Sequence, residues 1–297
     1  MARFRFDFAQ MGCPCELVLE ADDERVAAAA ARHAIAEVAR LDHKYSHYRD
    51  DSYLAELETA ATGEGVDVDA ETAALIDFAA ALNAQTDGRF DVTAGALTRL
   101  WDPKTQRVPD AAAVAAARER VGWRRVRWRS PRLALAPGMR LDLGGVVKEY
   151  AADRAAEVCR AHGVERGLVS LGGDLAVIGP RANGRAWQVG IADPRASSHA
   201  KRTVALECGG FATSGDYERV MVVDGRRYGH IVDVTSGVPV ESYASVSVAA
   251  PSCLVAGALA TSAMLAGLEA GAALLTASGL PWLAITADGA LLGPLAG

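Results

Sequence analysis

The amino-acid sequence predicts an α+β fold. Helix-type and strand-type patterns interleave along its 297 residues without the regular strand–helix–strand succession of a doubly wound parallel sheet. The length would allow two domains of about 150 residues, yet no linker-like tract of Pro, Ser and Gly and no internal repeat divides the sequence. We therefore expect a mixed sheet with packed helices, forming a single intertwined module over residues 1–297.

The first half of the sequence predicts a strand, three helices and a polar loop. Met11 to Glu20 alternates as a strand, and Asp22 and Asp23 are the N-cap candidates for a first helix. The apolar stripe of that helix consists of Val26, Ala30, Ala34, Val38, Leu41 and Tyr45. The donor-rich loop from Tyr45 to Ser52 follows, and further helices are expected from Ala70 to Gln85 and from Asp110 to Gly122.

The second half contains shorter strands and a pair of apolar helices. A hairpin is expected around Ser130-Pro131, and a strand at Leu141 leads through a double glycine into a helix that ends near His162. The turn Asp224-Gly225 is a strong hairpin signal, and we expect its far arm to carry Gly229 to Asp233. The last strand is predicted from Trp282 to Thr286.

Charge and cysteine usage exclude several classes of protein. With 31 basic and 37 acidic residues, a formal charge of −6 disfavours nucleic-acid binding through a broad basic face. Five scattered cysteines form no disulfide framework and favour a reducing compartment. The N-terminus lacks the apolar stretch of a secretory signal, and the longest apolar run, Leu254 to Leu268, is about five residues short of a membrane span. We expect a cytoplasmic protein without membrane insertion.

The segment from Asp142 to Lys148 is the clearest candidate for ligand binding. Its double glycine places backbone N–H groups at a helix N-terminus, with a lysine one turn further on, which suits a phosphate or pyrophosphate. The glycine spacing matches neither the Walker A loop nor the dinucleotide-binding fingerprint. A tight turn between a strand and a helix is the alternative interpretation.

Other polar residues allow more than one interpretation. Asp91 could act as an acid, a base or a partner of a ring nitrogen, or it could be a solvated loop aspartate. His230 and Asp233, three apart on a predicted strand, would lie on opposite faces and form no obvious dyad. Ser214 is not in a nucleophile elbow, so a serine hydrolase is unsupported. A zinc site at Cys13 and Cys15 would need two further clustered ligands, and the sequence shows none, which favours a packing role for the two cysteines.

The order of seven short motifs is more specific than any one of them. They are Met11-Gly12, Tyr48-Arg49-x-Asp-Ser52, Gly88-x-Phe-Asp91-x-Thr93, Leu141-Asp-Leu-Gly-Gly-x-x-Lys148-x-Tyr-Ala-x-Asp153, Leu171-Gly-Gly-Asp174, Ala212-Thr-Ser-Gly-Asp216 and His230-Ile-x-Asp233-x-x-x-Gly237-x-Pro239. This succession closely resembles the ApbE family, the FAD:protein FMN transferases. The resemblance extends from about Met11 to the last strand.

The resemblance implies an ApbE-like, T-fold-like module that binds FAD and uses Mg²⁺ at the pyrophosphate. Such an enzyme moves FMN to a threonine hydroxyl of a target flavoprotein and releases AMP. The residues it implies as FAD contacts are Met11, Tyr48, Arg89, Phe90, Asp91, Asp142, Lys148, His230 and Ile231. It places the carbonyl of Gly145 and the side chain of Thr261 at the metal, and His230 and Asp91 are the candidates for proton transfer.

Two departures from the family pattern concern the metal and the phosphates. The family's last motif has an aspartate four residues before the threonine, whereas this sequence reads Ala256-Gly257-Ala-Leu-Ala-Thr261. Losing that carboxylate should weaken Mg²⁺ binding unless another acid compensates, and we expect Gly257→Asp to restore it in an otherwise intact site. Glu149 replaces a common glycine and adds negative charge near the expected pyrophosphate.

Three functions follow from these observations. The first is a magnesium-dependent FMN transferase. The second is an FAD-binding carrier or pseudoenzyme that has lost transfer because Gly257 replaces the metal-binding aspartate. The third is an FAD pyrophosphatase, in which water replaces the threonine acceptor.

Overall fold

The α+β class is confirmed by a computed structural model, which describes residues 1–194, 196–216 and 220–296, without the side chains of Lys104 and residues 196–200. The helices are α1 (Glu24–Tyr45), α2 (Tyr53–Ala60), α3 (Ala70–Gln85), α4 (Gly95–Thr98), α5 (Ala111–Arg118), α6 (Gly144–Ala161), α7 (Cys253–Ala266) and α8 (Leu268–Ala277). None of these helices combines the length and the apolar character needed to cross a membrane.

The described residues form 17 strands, eight of them in one large sheet. The 17 strands are β1 (Ala2–Gln10), β2 (Cys13–Ala21), β3 (Val66–Asp67), β4 (Arg127–Arg129), β5 (Arg132–Ala134), β6 (Arg166–Leu171), β7 (Asp174–Gly179), β8 (Trp187–Asp193), β9 (Ala196–Leu206), β10 (Gly210–Gly215), β11 (Met221–Val223), β12 (Arg226–Tyr228), β13 (Val232–Asp233), β14 (Val238–Pro239), β15 (Tyr243–Ala250), β16 (Trp282–Thr286) and β17 (Leu291–Leu292). The large sheet has the order β1-β2-β6-β7-β10-β15-β16-β17. Each of its pairings is antiparallel, so the sheet is not mixed in direction as expected.

Tight turns explain two of the antiparallel pairings in this sheet, β1–β2 and β6–β7. Met11 and Gly12 join β1 to β2 with φ values of 55° and 69°, and Gly172 and Gly173 join β6 to β7 with φ values of 60° and 91°. Such two-residue connections can link only neighbouring strands that run in opposite directions.

Helices α1, α6 and α7 lie side by side on one face of the large sheet. Helix α1 packs on β1 and β2, α6 packs on β6 and β7, and α7 packs on β10 and β15. Fully buried alanines, such as Ala151, Ala152 and Ala155 of α6, allow these helices to approach one another closely. The hairpin of β8 and β9 forms a second, smaller core on the opposite face, with Trp187 and Phe211.

Several sequence predictions are confirmed. Helix α3 and strand β16 have the predicted bounds. Asp23 caps α1 by accepting a hydrogen bond from Arg25 N. In the hairpin of β11 and β12, Asp224 and Gly225 have positive φ values of 51° and 78°, as the predicted turn requires. Hairpin β4–β5 has exposed arginines and turns at Ser130-Pro131.

Other boundaries were wrong. The strand predicted from Met11 to Glu20 is β2, which begins at Cys13 because Met11 lies in the turn before it. Strand β1 (Ala2–Gln10) was not predicted. Helix α5 ends at Arg118, four residues before Gly122. Val26, predicted on the buried stripe of α1, is 38% exposed in the first turn, because the helical period identifies a face without showing where the neighbouring packing ends.

The chain around Leu141 is not a strand. Leu143 occupies the N-cap position of α6, and the residues before it make only an isolated bridge between Arg140 and Ala94. His230 likewise precedes β13, so His230 and Asp233 do not share a strand. In both places a short apolar run fits the strand pattern, but no neighbouring strand in the described part of the chain pairs with the whole run to form a continuous β-ladder.

Candidate functional site

The double-glycine turn at the start of α6 contacts the segment that contains Phe90. A β-carbon on Gly145 would lie 3.2 Å from the Phe90 ring, and that ring is buried. Asp142 N donates a 2.7 Å hydrogen bond to the carbonyl of Val92. These contacts place the motifs around Phe90 and Gly145 side by side, although they are more than 50 residues apart in the sequence.

Asp142 connects the glycine turn to the aromatic loop at 45–52. Its Oδ1 lies 3.0 Å from His47 Nδ1 and accepts a 2.8 Å hydrogen bond from Gly144 N. Burial raises the pKa of Asp142, but the hydrogen bonds from His47 and Gly144 outweigh that effect and bring the pKa to about 2. The His47 ring packs edge-on against the exposed Tyr48, with 3.9 Å between ring centroids. The ionised Asp142 therefore fixes the loop that presents Tyr48.

Lys148, one turn into α6, forms an ion pair with the first residue of β7. Its Nζ lies 2.7 Å from Asp174 Oδ2, and Asp174 is only 2% exposed. The other carboxylate oxygen of Asp174 accepts a 2.9 Å hydrogen bond from Thr213 N of β10. The ion pair thus joins α6, β7 and β10 at Lys148, the lysine that the sequence predicts to contact the phosphates.

Contacts also link the remaining motifs. The Thr261 and Ser214 hydroxyls are 2.7 Å apart, which joins α7 to β10. A β-carbon on Gly172 would lie 3.0 Å from the side chain of Cys13, beside the Met11 turn. Asp216 lies against Gly229, whose β-carbon position is 3.3 Å from Asp216 Cβ. Four of the seven motifs, those around Phe90, Gly145, Asp174 and Ser214, are therefore joined by direct contacts. The other three are connected to them through the adjacent residues Cys13, His47 and Gly229.

Glu149 and Gly257 face each other between α6 and α7. A β-carbon on Gly257 would lie 2.5 Å from Glu149 Cγ and 2.7 Å from Glu149 Oε1. Glu149 is 5% exposed, and its Oε2 is buried without a hydrogen-bond partner among the described residues. Burial raises the pKa of Glu149 to about 7, with Asp174 adding to the effect and Lys148 opposing it.

This contact changes two expectations from the sequence. The position beside Gly257 is filled by the Glu149 side chain, so Gly257→Asp alone would crowd Glu149 and not restore an otherwise intact site. Glu149 was also expected to oppose phosphate binding at the glycine turn, whereas its carboxylate is buried against α7. The sequence contained a sign of this contact, because it gains a carboxylate at position 149 and lacks the expected one at position 257.

Asp153 fixes α6 and α7 relative to each other. Its two carboxylate oxygens each accept a 2.9 Å hydrogen bond, from Cys253 N and Leu254 N at the start of α7. Ser252 adds a second cap by accepting a hydrogen bond from Val255 N. Sequence reasoning had placed Asp153 in a motif without giving it a role. Its role is to hold the helix that carries Gly257.

Asp91 and Arg89 lie at the edge of this cluster. Asp91 Oδ1 accepts hydrogen bonds from Thr93 N and Thr93 Oγ1, at 2.8 and 2.6 Å, and Oδ2 accepts one from Trp123 N at 2.8 Å. Both oxygens therefore organise the loop around Phe90. Arg89 is exposed, and its guanidinium lies 3.5 Å from the carbonyl of Leu265 at the end of α7.

The remaining predicted FAD contacts lie in connecting segments. Met11, with φ 55°, donates its backbone N–H to Asp42 Oδ2 at 3.0 Å. His230 and Ile231 are half-buried in the segment between β12 and β13, where the Ile231 carbonyl accepts a 2.9 Å bond from Val240 N. Asp233, in contrast, accepts hydrogen bonds from the backbone of Thr235 and Ser236 and stabilises a turn.

A cavity of about 640 Å³ adjoins the end of the seventh motif, where Ser236, Val238 and Pro239 line it. Its other lining residues include Trp101, Arg118 of α5 and Tyr228 of β12. None of the predicted FAD or metal contacts lines it. We therefore assign the candidate site to the chain of motif contacts and not to this cavity.

The model of the ApbE family matches residues 11–283. The chain belongs to the ApbE family. Among its ApbE relatives, the FAD:protein FMN transferase of Treponema pallidum is 36% identical over 248 residues, covering 76% of this chain and 68% of the relative. The FAD:protein FMN transferase of Vibrio cholerae is 32% identical over 259 residues, covering 84% of this chain and 77% of the relative.

Solved ApbE structures have the same fold. The ApbE protein of Thermotoga maritima superimposes with a TM-score of 0.91 at 30% identity, covering 98% of this chain and 97% of that one. The apo form of the flavinyl transferase ApbE of Pseudomonas stutzeri gives a TM-score of 0.86 at 30% identity, with 99% and 95% coverage. The ApbE fold predicted from the seven motifs is therefore confirmed.

Proposed function

We propose that this protein is an FAD:protein FMN transferase. The observation that supports the proposal most directly is the set of contacts that joins the four central motifs, with the glycine turn, Lys148 and Thr261 in one cluster. A helix N-terminus with a nearby lysine suits a pyrophosphate. Membership of the ApbE family, whose relatives above are named for this activity, adds independent support.

The proposed reaction is a phosphoryl-type transfer without a redox change. A threonine hydroxyl oxygen of the target flavoprotein attacks the phosphorus on the riboflavin side of FAD. The bond between that phosphorus and the bridging oxygen breaks, and AMP leaves with the bridging oxygen. The hydroxyl proton passes to a base, so the products are FMN esterified to the threonine and AMP.

The binding roles proposed for this chain follow its geometry. Lys148 supplies positive charge beside the glycine turn, while Asp142 orders that turn and the loop of Tyr48. Phe90 packs beneath Gly145 and fixes the backbone whose carbonyl we assign to the metal. Met11, Arg89 and Ile231 remain proposed FAD contacts.

For proton transfer we favour His230 over Asp91. Both carboxylate oxygens of Asp91 already accept hydrogen bonds from the Phe90 loop and from Trp123 N. His230 is half-buried and adjoins Gly229, which packs on Asp216 at the edge of the cluster. Histidine is also the side chain most often used for general acid–base catalysis.

The residues present fit a divalent cation. Within the described part of the chain, no group of three or more His, Cys, Asp or Glu side chains could hold a metal by itself. Magnesium, however, commonly takes one or two protein carboxylates together with substrate phosphates. The buried, unpartnered Oε2 of Glu149 and the hydroxyl of Thr261 offer such oxygen ligands. Bound there, Mg²⁺ would neutralise charge on the pyrophosphate.

The test is a transfer assay with FAD, Mg²⁺ and a flavoprotein domain that contains an acceptor threonine. Transfer predicts an increase in acceptor mass equal to an added FMN, with release of AMP. His230→Ala should slow it by roughly 100-fold or more, whereas His33→Ala, an exposed histidine stacked on His162, should not. AMP and FMN without a labelled acceptor would indicate a pyrophosphatase, and tight FAD binding without products a carrier. Either result would contradict the transferase.

A further inference from the structure

Glu149 is a buried carboxylate with one oxygen that the described residues leave without a hydrogen bond. It is 5% exposed, and its Oε2 accepts no hydrogen bond from the described residues. The adjacent Lys148 has its ammonium 2.7 Å from Asp174 and also acts on Glu149, so a single ammonium faces two buried carboxylates. Burying an ionisable group in this way is costly unless a cation or hydrogen bonds compensate it.

The carboxylate is directed at the face of α7 that carries Thr261. Gly257 and Thr261 are four residues apart, so they lie one above the other on one face of the helix. Glu149 Oε1 is 2.7 Å from the β-carbon position of Gly257. The side chain from α6 therefore fills the volume that a side chain of residue 257 would fill, next to the hydroxyl that lies 2.7 Å from Ser214 Oγ.

We propose that Glu149 is the protein carboxylate that binds the divalent cation of this enzyme. From α6, its side chain occupies the same place that the side chain of an aspartate at position 257 would occupy from α7. The cation would then be held by Glu149, the Thr261 hydroxyl, the carbonyl of Gly145 and phosphate oxygens of FAD. The phosphate oxygens and the Gly145 carbonyl in this ligand set rest on the proposed function. The inference explains why Gly257 has no side chain, since any β-carbon there would overlap the ligand.

The alternative is that Glu149 is a neutral acid that only packs between two helices. Glu149→Gln separates the two, because glutamine keeps the shape and hydrogen-bonding capacity of a neutral acid but cannot act as an anionic ligand. The reciprocal exchange, Glu149→Gly with Gly257→Asp, returns a carboxylate to the same volume from the opposite helix. Asp67→Asn, an exposed carboxylate of β3, is the matched control.

The measurement is the Mn²⁺ dissociation constant, obtained from the electron paramagnetic resonance signal of free Mn²⁺, for the full chain with and without FAD. Glu149→Gln should weaken Mn²⁺ binding by roughly 100-fold. Residues that only support the direct metal ligands already contribute about 10- to 100-fold, and a direct ligand should contribute at least as much. Its melting temperature should stay close to that of the wild type. The double exchange should return the dissociation constant to within about tenfold of wild type, and Asp67→Asn should leave it unchanged.

Two results would overturn the assignment. One is a Glu149→Gln protein that binds Mn²⁺ as tightly as wild type. The other is a double-exchange protein that melts like wild type yet does not recover Mn²⁺ affinity. The transfer assay distinguishes failure of this inference from failure of the proposed function. If Glu149→Gln loses Mn²⁺ binding and the wild type transfers no FMN, Glu149 is the metal ligand but the protein is not a transferase. If the wild type transfers FMN and Glu149→Gln binds Mn²⁺ normally, the protein is a transferase but Glu149 is not its metal ligand.

Discussion

The side chain of Glu149 leaves no room for a β-carbon on Gly257, because such a carbon would lie only 2.5 Å from Glu149 Cγ. Gly257 is therefore needed for steric reasons, although it sits in the interior of α7, where glycine is unfavourable by about 1 kcal/mol relative to alanine. The overlap makes the two positions energetically dependent on each other.

Gly257→Ala should destabilise the protein by about 1–3 kcal/mol, the usual cost of overpacking. In the background of Glu149→Ala the same change should cost nothing or be stabilising, because the overlapping atoms are gone and alanine favours the helix. Urea unfolding of the four proteins gives the coupling energy directly. Additive effects would show that the two side-chain positions do not compete for space.

Asp153→Ala should lower the free energy of unfolding by about 1–2 kcal/mol, as expected for loss of a helix cap. The reason is that Cys253 N and Leu254 N at the start of α7 would lose their acceptor. Glu157→Ala, one turn further along α6 and 55% exposed at its side chain, is the control and should change stability by less than about 0.5 kcal/mol. Equal effects of the two substitutions in urea unfolding would contradict the capping role.

Lys148→Met should destabilise the protein by roughly 3 kcal/mol, because it leaves the carboxylate of Asp174 buried without its cation. Adding Asp174→Asn should recover most of that loss. For comparison, Arg226→Met breaks an exposed ion pair with Glu241 and should cost less than about 1 kcal/mol. If Lys148→Met and Arg226→Met unfold at the same urea concentration, the buried pair does not contribute as described.

Stability should fall in acid because of Glu71. Burial raises the pKa of this carboxyl, but hydrogen bonds from Arg40 and Lys44 outweigh it and lower the pKa from 4.5 to about 2. Asp69, Tyr45 and Tyr150 also face this group. A depressed folded-state pKa stabilises the protein above the unfolded value, and that contribution is lost as the pH falls from about 4.5 towards 2.

Glu71→Gln removes that titration, so its free energy of unfolding should depend less steeply on pH than that of wild type between about pH 5 and pH 3. Glu56→Gln, an exposed residue of α2, should keep the wild-type slope. Urea unfolding at several pH values measures these slopes. Parallel curves for wild type and Glu71→Gln would refute the assignment.

Local pattern was enough to predict much of the fold. The bounds of α3 and β16, the cap at Asp23 and the hairpin at Asp224-Gly225 depend on periodicity, capping and turn chemistry, which act within a few residues. The strand predicted at Leu141 failed because a strand also needs a neighbour to pair with. That requirement is not visible in a short apolar run.

The sequence by itself determined the family, because the order of the seven motifs is preserved along the chain. It also determined which residue types are available for the site. Only the tertiary structure decided that Glu149 and Gly257 share one volume, that Asp142 is held by His47, and that Asp153 caps α7. The physical reason is that each of these contacts joins different segments of the chain, so it depends on how α6 packs against its neighbours.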